Sequence, residues 1–352
     1  MYISKMKELV HTLKFPPTWK LMDLVSKIDR FDANWSSIEK REGVTLKQLK
    51  SIATVSSVGA STRIEGVQMS NNEIEHLISN VNTEKLEERD KQEVIGYFDA
   101  LDLISESYPN INIIEGDLKN LHKVLLKHSD KDQWHKGNYK KQSNAVEAEY
   151  PDGSKTVIFQ TAEPGLETEE AMRSLMDWYK KDKTTHKLVK CAIFAYEFLS
   201  IHPFQDGNGR LSRLLSSLLL MQSGYVWIQY VSFEHEIENR KAQYYSTLRS
   251  CQANRPGEDV TDWVMFFLDA LLSIQGKLTN KLDTKGQETK LTTDERSVYL
   301  HIQNKPGVSA SSIREALGYK KSKLTSILAQ LLEVHKIIDT EGTGKSLKYI
   351  LR

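Results

Sequence analysis

Apolar residues recur at helical spacing along most of the chain. Between residues 46 and 66 the pattern predicts a helix that stops at Gly66. Shorter helical patterns over residues 1–45 indicate an N-terminal helical cap, and further helices are predicted within residues 70–128, 167–201, 233–251 and 259–276. The segment 185–201 is apolar almost all round, so we expect that helix to be buried. The sequence therefore predicts a mainly α fold built as a helical bundle.

An alternating pattern interrupts these helices between residues 143 and 161. Two β-rich segments flank a Pro-Asp-Gly turn at residues 151–153, which predicts a hairpin. A lone ribbon in a helical region has no sheet to join. Such a ribbon often binds a partner by strand addition, and a purely structural surface hairpin is the alternative.

The C-terminal part of the chain has a pattern of its own. Residues 277–290 are polar, and we expect a linker or an exposed helix end there. Residues 291–352 then show three helical segments followed by two β-rich pieces around Gly342 and Gly344. This order predicts a winged helix-turn-helix domain, an α+β fold, with three lysines at the front of its recognition helix: Lys320, Lys321 and Lys323.

Composition is that of an ordinary globular protein. The 352 residues are 39% hydrophobic and 27% charged, which suits two or three domains. No apolar run approaches the roughly 18 to 20 residues of a membrane span, and the first residues lack the apolar core of a signal peptide. We therefore expect a cytoplasmic protein without a membrane partner. Cys191 and Cys251 are expected to be reduced, buried thiols.

The formal net charge of +1 is unevenly distributed. Residues 291–352 carry ten Lys or Arg and six Asp or Glu, a net of +4, which leaves −3 for residues 1–290. A surplus of this size permits contact with nucleic acid without requiring it. Two roles for the C-terminal domain therefore stay open, namely DNA binding and contact with a protein partner, including a second copy in a homodimer.

The strongest chemical signal is the stretch HPFQDGNGR at residues 202–210, with Arg213 one turn later. Gly207, Asn208 and Gly209 allow a sharp turn whose backbone N–H groups meet the start of the next helix. The helix dipole favours an anion at that place. The loop therefore has the features of a phosphate-binding site.

The neighbouring side chains suit transfer of a phosphate-containing group. Asp206 supplies hard oxygen ligands of the kind that Mg²⁺ prefers. Arg210 and Arg213 lie three residues apart on one helix face and can bind phosphate oxygens. His202 titrates near neutral pH and can take a proton from an attacking hydroxyl. Together these residues predict transfer from a nucleotide to a hydroxyl group, whereas each one alone is compatible with a structural turn.

This stretch is similar to the signature of the Fic family, His-x-Phe-x-Asp/Glu-Gly-Asn-Gly-Arg-x-x-Arg, without departure. The resemblance covers roughly residues 45–275 and includes the hairpin, which looks like the family's target-binding flap. It implies an N-terminal helical region over residues 1–110 and a Fic catalytic core over residues 111–276, with the flap at about 143–161.

The resemblance implies a protein adenylyltransferase that moves AMP from ATP to a Ser, Thr or Tyr hydroxyl of a protein and releases pyrophosphate. The acceptor is a separate protein or the chain itself. By position, His202 is then the general base, Asp206 the Mg²⁺ ligand and Gly207–Gly209 the anion hole. Arg210 and Arg213 hold the β- and γ-phosphates.

Three further positions take their expected roles from the same resemblance. Phe204 is an apolar anchor of the loop. Asn239 and Tyr244, within ENRKAQYYSTL, match positions that contact the adenosine in the family.

A second motif, Ser61-Thr-Arg-Ile-Glu65-Gly66, is similar to the family's inhibitory motif, Ser/Thr-x-x-x-Glu-Gly/Asn. Ser61 and Glu65 are four apart and so share a helix face. The resemblance implies that Glu65 pairs with Arg213 and keeps the γ-phosphate from its place, because carboxylate and phosphate compete for one guanidinium. The alternative is an ordinary solvated Glu before a glycine cap, which the helix dipole disfavours.

Three other functions stay open. The site could remove AMP from a modified protein, with Glu65 positioning a water. The chain could be a DNA-binding transcriptional regulator that uses its Fic-like body as a nucleotide sensor. The same loop could also transfer UMP or phosphocholine.

Overall fold

The computed structural model describes residues 13–81, 86–144, 146–149, 155–283 and 291–351. Packing divides the chain into two compact units, Met1–Leu278 and Thr279–Arg352. The two regions that the sequence predicted as separate, residues 1–110 and residues 111–276, both fall within the first unit.

The first unit is mainly helical. Its helices are α1 (Trp19–Ile64), α2 (Asn71–Ser79), α3 (Arg89–Ser107), α4 (Glu115–Leu125), α5 (Leu166–Lys181), α6 (Lys187–Ile201), α7 (Asn208–Gln222), α8 (Phe233–Asn239), α9 (Lys241–Gln252) and α10 (Thr261–Asp283), the last of which runs into the second unit. Short 3₁₀ turns occupy Tyr108–Asn110 and Val226–Tyr230. None of the helices in the described ranges has both the length and the apolar character of a membrane span.

One antiparallel hairpin interrupts the helices, as the alternating pattern predicts. Its strands are β1 (Val146–Glu149) and β2 (Lys155–Phe159), with Glu149 opposite Lys155. The predicted turn at residues 151–153 lies outside the described residues. Within the described part of the first unit, this hairpin joins no larger sheet.

Two consecutive helices form the centre of the first unit. Thirteen side chains of α6 are buried, which confirms the expectation drawn from its apolar pattern. Thirteen side chains of α7 are buried as well, and α7 packs against α6, α3, α4 and α1. The loop that joins α6 to α7, residues 202–207, therefore connects two buried helices, with Pro203, Phe204 and Gly207 buried and the other three residues partly exposed.

The N-terminal half of the unit differs from the sequence prediction. The helical patterns of residues 19–45 and the predicted helix over 46–66 form one helix of 46 residues, α1, capped by Thr18, whereas residues 1–12 lie outside the described residues. Gly43 does not break it, since buried side chains continue on both sides of this glycine, among them Trp35 and Leu46. Packing against the core thus supports a helix that local propensity would interrupt.

The predicted helix over 233–251 is also wrong in one respect. It is broken at Arg240, with φ −113° and ψ 26°, into α8 and α9. The Arg240 guanidinium lies 2.9 Å from Asp269 and 4.7 Å from the centre of the Phe266 ring, both on α10. These contacts hold the corner between the two helices.

From residue 291 to residue 351 the second unit has three helices and a hairpin. The elements are α11 (Thr293–Asn304), α12 (Ala310–Leu317), α13 (Lys321–Ala329), one π turn (Gln330–Val334), β3 (Ile338–Glu341) and β4 (Lys348–Leu351). Gly318 ends α12 in the left-handed conformation, with φ 67°. Apolar side chains from all of these helices and from the hairpin share one core, including Val298, Ile313, Leu324 and Ile338.

The segment predicted as a linker, residues 277–290, begins as a helix end. Its first seven residues complete α10, and residues 284–290 lie outside the described residues. Both cysteines are free and buried, in agreement with the sequence prediction.

Candidate active site

The loop between α6 and α7 begins at His202, which ends α6 in a left-handed backbone conformation, φ 52° and ψ 59°. A non-glycine residue rarely adopts this conformation unless its surroundings impose it. The Nδ1 atom lies 3.3 Å from the Leu199 carbonyl oxygen. If Nδ1 carries the proton that this bond needs, Nε2 is left with a free lone pair. Burial lowers the pKa of His202 to about 4, so the imidazole is neutral at pH 7.

Asn208 closes the loop from inside. Its Oδ1 accepts from the Phe204 backbone N–H at 2.9 Å, and its Nδ2 donates to the Phe204 carbonyl at 2.7 Å. Asn208 is 2% exposed, so its side chain braces the loop and does not face outward. Only the backbone of Asn208 is available for the anion-binding role that the motif predicts.

Phe204 anchors the loop, as expected, and it does so on a residue that the sequence reasoning missed. His122 on α4 stacks on the Phe204 ring with 3.8 Å between ring centres. His122 Nδ1 accepts the Gly137 N–H at 2.9 Å, and Nε2 therefore donates to the Asp206 carbonyl at 3.0 Å. In the sequence, His122 is only a single histidine among the apolar positions of a predicted helix, and such a histidine does not by itself indicate a contact with the loop.

Glu65 lies directly against the first turn of α7. A Cβ atom added to Gly209 would lie 2.5 Å from Glu65 Oε1, so glycine is required for this approach. The backbone N–H groups of a first helical turn have no partners within the helix and carry the positive end of the dipole. The Glu65 carboxylate thus lies beside this turn, at Gly209.

Glu65 also reaches the guanidinium of Arg213. Nη2 donates to Glu65 Oε1 at 2.6 Å and to the Ser61 carbonyl at 3.0 Å, and Nε donates to Ser61 Oγ at 2.8 Å. Burial alone would raise the pKa of Glu65, but the nearby Arg213 lowers it below its usual range. Burial would lower the pKa of Arg213, and Glu65 raises it well above its usual value. Both groups are therefore charged at neutral pH.

Asp206 and Arg210 form a second charged pair on the other side of the loop. Asp206 Oδ1 accepts the Gly207 N–H at 2.6 Å and lies 3.4 Å from Arg210 Nη2, while Oδ2 lies 3.0 Å from Lys131 Nζ. Burial would raise the pKa of Asp206, but Arg210 and Lys131 lower it far below its usual value. Asp206 is therefore charged, with 37% of its side chain exposed.

Arg210 is buried with unused hydrogen-bonding capacity. Its Nη1 lies 3.1 Å from Glu93 Oε2, and its side chain is 3% exposed. Within the described residues, Arg210 Nε has no hydrogen-bond partner. A buried guanidinium N–H without a partner is costly, and a bound anion would satisfy it.

Charged contacts anchor the end of α1 to the rest of the unit. Arg63 binds Glu238 of α8 through two bonds of 2.7 and 3.1 Å, and its Nη1 donates to the Met69 carbonyl and to Asn71. Lys241 donates to the Ile64 carbonyl at 2.8 Å. These bonds hold the last turn of α1, and with it Glu65, against α8 and α9.

The two residues with an expected adenosine contact differ in position. Tyr244 is 4% exposed and lies against Arg213, whose guanidinium its hydroxyl contacts. Asn239 is exposed at the end of α8, and within the described residues no hydrogen bond joins its side chain to the loop. The structure thus brings together His202, Asp206, Arg210, Arg213, Tyr244, Ser61, Glu65 and the Gly207–Gly209 backbone, but not Asn239.

Comparison with known proteins finds relatives of the part of the chain that contains this site. Residues 112–220 match the family model described as Fic/DOC family. The "Protein adenylyltransferase Fic" of Drosophila melanogaster is 29% identical over 212 residues, which cover 58% of this chain and 39% of that protein. The protein of the same name from Aedes aegypti is 26% identical over 262 residues, which cover 70% of this chain and 47% of the relative. The chain spans less than half the length of these curated relatives.

Solved structures of similar fold include the crystal structure of a Fic family protein from Desulfovibrio desulfuricans G20. It has a TM-score of 0.64 at 23% identity and covers 97% of this chain and 98% of that one. Fic-1 from C. elegans has a TM-score of 0.53 at 20% identity and covers 81% of this chain and 75% of that one. These likenesses concern the fold, which is a Fic fold.

Proposed function

We propose that this chain, whose residues 112–220 match the Fic/DOC family model, is a protein adenylyltransferase that Glu65 holds in an inhibited state. The substrate is ATP, and AMP is transferred to a Ser, Thr or Tyr hydroxyl of a protein. The observation that carries the proposal is the position of Glu65, bonded to Arg213 and lying against the first turn of α7.

In this proposal His202 is the general base. Its partly buried, neutral imidazole has Nε2 free to accept the proton of the attacking hydroxyl, which then attacks the α-phosphorus of ATP. The bond to the pyrophosphate oxygen breaks, and pyrophosphate leaves. The first turn of α7 stabilises the negative charge that develops on the phosphate oxygens.

The phosphates are bound by the loop and its two arginines. The unpartnered Nε of Arg210 supports an anion on that side of the loop, where the β-phosphate would lie. Arg213 would hold the γ-phosphate once Glu65 has left it. Tyr244 lies against Arg213, which supports its expected contact with the adenosine. The expected adenosine contact of Asn239 rests on the sequence alone.

Asp206 fits a magnesium ion. Its carboxylate is charged and partly exposed beside the loop, and hard oxygen is the ligand that Mg²⁺ prefers. The described residues contain no cluster of three His, Cys, Asp or Glu that could hold a metal alone, so the other ligands would be phosphate oxygens and water. When bound, the ion would neutralise phosphate charge.

The inhibited state follows from competition for one guanidinium. Glu65 and a γ-phosphate would compete for Nη2 of Arg213, a side chain that Ser61 holds in place through two bonds. While Glu65 remains, ATP would lack its γ-phosphate contact and would bind in an unproductive pose.

Labelling with ATP tests the proposal. The wild-type chain, Glu65→Gly and Glu65→Gly/His202→Ala are incubated with labelled ATP and Mg²⁺, and covalent label on protein is measured. We expect Glu65→Gly to label at least about tenfold faster than wild type and the double variant to lose the signal. Equal labelling in all three would overturn the assignment. Label from ATP but not from UTP would exclude UMP transfer.

Removal of AMP by the same site is tested separately. A modified acceptor that loses AMP in the presence of the wild-type chain, but not of Glu65→Gly, would assign the reverse activity to Glu65. Retention of AMP with both proteins would exclude it.

The second unit supports a second candidate function, DNA binding through a winged helix. Three helices followed by a hairpin, with Val308 bridged to Tyr349, are the elements of such a domain. Of the three lysines at the front of α13, Lys323 is paired with Asp294 at 2.7 Å. Lys320 and Lys321 are exposed and could contact DNA phosphates.

Salt-dependent binding of the full chain to duplex DNA tests this candidate. We expect weaker binding and a smaller salt slope for Lys320→Glu/Lys321→Glu than for wild type. Binding that is unchanged by these substitutions, or absent at low salt, would leave the unit as a protein-contact module.

A further inference from the structure

Lys140 and Asn144 together donate to four consecutive backbone carbonyls, those of residues 201–204, at the loop between α6 and α7. The Phe204 carbonyl also accepts from Asn208. Lys140 Nζ donates to the Ile201 carbonyl at 3.2 Å, and the Lys140 backbone N–H donates to the Pro203 carbonyl at 2.8 Å. Asn144 Nδ2 donates to the Phe204 carbonyl at 2.6 Å and lies 3.4 Å from the carbonyl of His202. The backbone on both sides of the left-handed His202 is therefore fixed from the same direction.

The Lys140 ammonium has all three of its protons engaged. Besides the Ile201 carbonyl it donates to Asn144 Oδ1 and to Thr161 Oγ1, both at 2.8 Å. The residue is 2% exposed, which is unusual for a lysine. Burial lowers its pKa to about 8, so the ammonium form that these three acceptors require is retained at pH 7.

The same contacts hold both ends of the hairpin. Asn144 lies two residues before β1, and Thr161 lies two residues after β2. The two are joined directly, since Thr161 Oγ1 lies 3.1 Å from the Asn144 carbonyl and 3.0 Å from Asn144 Oδ1. Lys140 thus lies at the point where the two ends of the hairpin and the start of the catalytic loop meet.

We propose that Lys140 is a positioning residue that fixes His202 relative to the base of the hairpin, so that a protein docked on the hairpin presents its hydroxyl to a correctly placed imidazole. The inference rests on the proposed function, in which His202 is the base and the hairpin binds the acceptor protein. Lys140 itself contacts neither substrate in this proposal and acts through the backbone of residues 201–204.

The phosphate-binding side of the loop has separate support. Asn208 and His122 brace it from inside the core. Asn208 shares the Phe204 carbonyl with Asn144, but within the described residues no hydrogen bond joins Asn208 or His122 to Lys140. Loss of the Lys140 contacts should therefore displace the base without weakening ATP binding. This separation gives the proposal a kinetic signature that general damage to the fold would not produce.

The first test needs no activity. Amide hydrogen exchange is measured by mass spectrometry in Lys140→Met and in Lys141→Met, an exposed neighbouring lysine that serves as control, after thermal unfolding has shown that both variants fold. We expect exchange to become faster in the hairpin (146–159) and in residues 201–206 together, in Lys140→Met only. Faster exchange in the hairpin alone, or no difference between the two variants, would overturn the proposal.

The second test uses the Glu65→Gly background with labelled ATP. We expect Lys140→Met to lower kcat about tenfold or more, as for small misplacements of a catalytic group, with the KM for ATP changed less than about twofold. Lys140→Arg, which keeps charge and donors, should recover part of the loss. An unchanged kcat, or a loss shared equally with Lys141→Met, would contradict the inference. Failure of the Glu65→Gly parent to label would count against the proposed function instead, and the exchange experiment would still decide the role of Lys140.

Discussion

The catalytic loop and the end of α1 that faces it are held by different kinds of contact. The loop is fixed by buried bonds to its own backbone and by the stacked rings of Phe204 and His122. The end of α1 is held by the buried bonds of Ser61 to Arg213 and by ion pairs that are partly exposed, since the Glu65 side chain is 32% exposed and the Arg63 side chain is 24% exposed. A partly exposed ion pair is more easily replaced by another anion than a fully satisfied buried network is.

This difference indicates which part of the molecule can move. A loop with buried bonds keeps its shape with or without ATP. A helix end held by Arg63, Glu65 and Lys241 can be displaced by a competing anion or by a protein that binds α8. We therefore expect regulation to act on the end of α1 and the catalytic loop to behave as a rigid template.

The largest expected effect is on the labelling rate, and it comes from a substitution in the rigid loop at residues 202–207. In the Glu65→Gly background, His202→Ala should lower the labelling rate by about 10² to 10⁴, the range for loss of a general base. His186→Ala, at a partly exposed histidine of the same unit, is the control and should label normally. A His202→Ala variant that keeps most of its activity would show that another group takes the proton.

Asn208→Ala should break the rigidity of the loop. It removes two buried bonds to Phe204, so we expect a loss of about 1 to 3 kcal/mol in the free energy of unfolding and a parallel loss of labelling. Urea unfolding measures the first and the ATP assay the second. Normal stability together with normal labelling would mean that the loop does not depend on this brace.

Arg63→Ala should loosen the end of α1 and leave the loop at residues 202–207 unchanged. Loss of the bonds to Glu238 frees the last turn of α1, and we expect labelling by the otherwise wild-type chain to rise by about threefold to tenfold, for roughly 1 kcal/mol of lost restraint. Lys50→Ala removes another ion pair of the same helix, to Glu106, and should have no such effect. A rise that persists in the Glu65→Gly background would place the effect of Arg63 outside the inhibitory contact.

The smallest expected effect is on pH dependence. Because burial lowers the pKa of His202 to about 4, the base is already unprotonated at pH 5.5, and protonation should reduce activity only below about pH 5. Labelling by Glu65→Gly should therefore change less than about twofold between pH 5.5 and 7. A fall centred near pH 6.5 would indicate a solvated histidine and contradict the buried site.

The sequence predicted most of the helical elements and the loop at residues 202–207, because periodicity and a strict motif are local signals. The chemistry of residues 202–213 stays a prediction. The sequence also paired Glu65 with Arg213 through the resemblance to a known family, and the structure has that ion pair. The sequence could not predict that the Asn208 side chain points into the core, because the motif is the same whether this amide points inward or outward.

The features that sequence reasoning missed depend on contacts between distant segments. His122 is 84 residues from Asp206, and Lys140 is 61 residues from Ile201. Neither belongs to a motif with recognisable spacing. The continuous helix α1 was missed for a related reason, since packing along its length outweighs the local preference of Gly43.

The most direct test of the central claim is a pair of crystal structures with ATP and Mg²⁺ bound, one of the wild-type chain and one of Glu65→Gly. The account predicts that Arg213 Nη2 remains bonded to Glu65 in the wild type, with the γ-phosphate displaced. In Glu65→Gly the γ-phosphate should take that position, while His202 and Asn208 keep theirs. A γ-phosphate bonded to Arg213 in the wild type, with Glu65 still in place, would contradict the account.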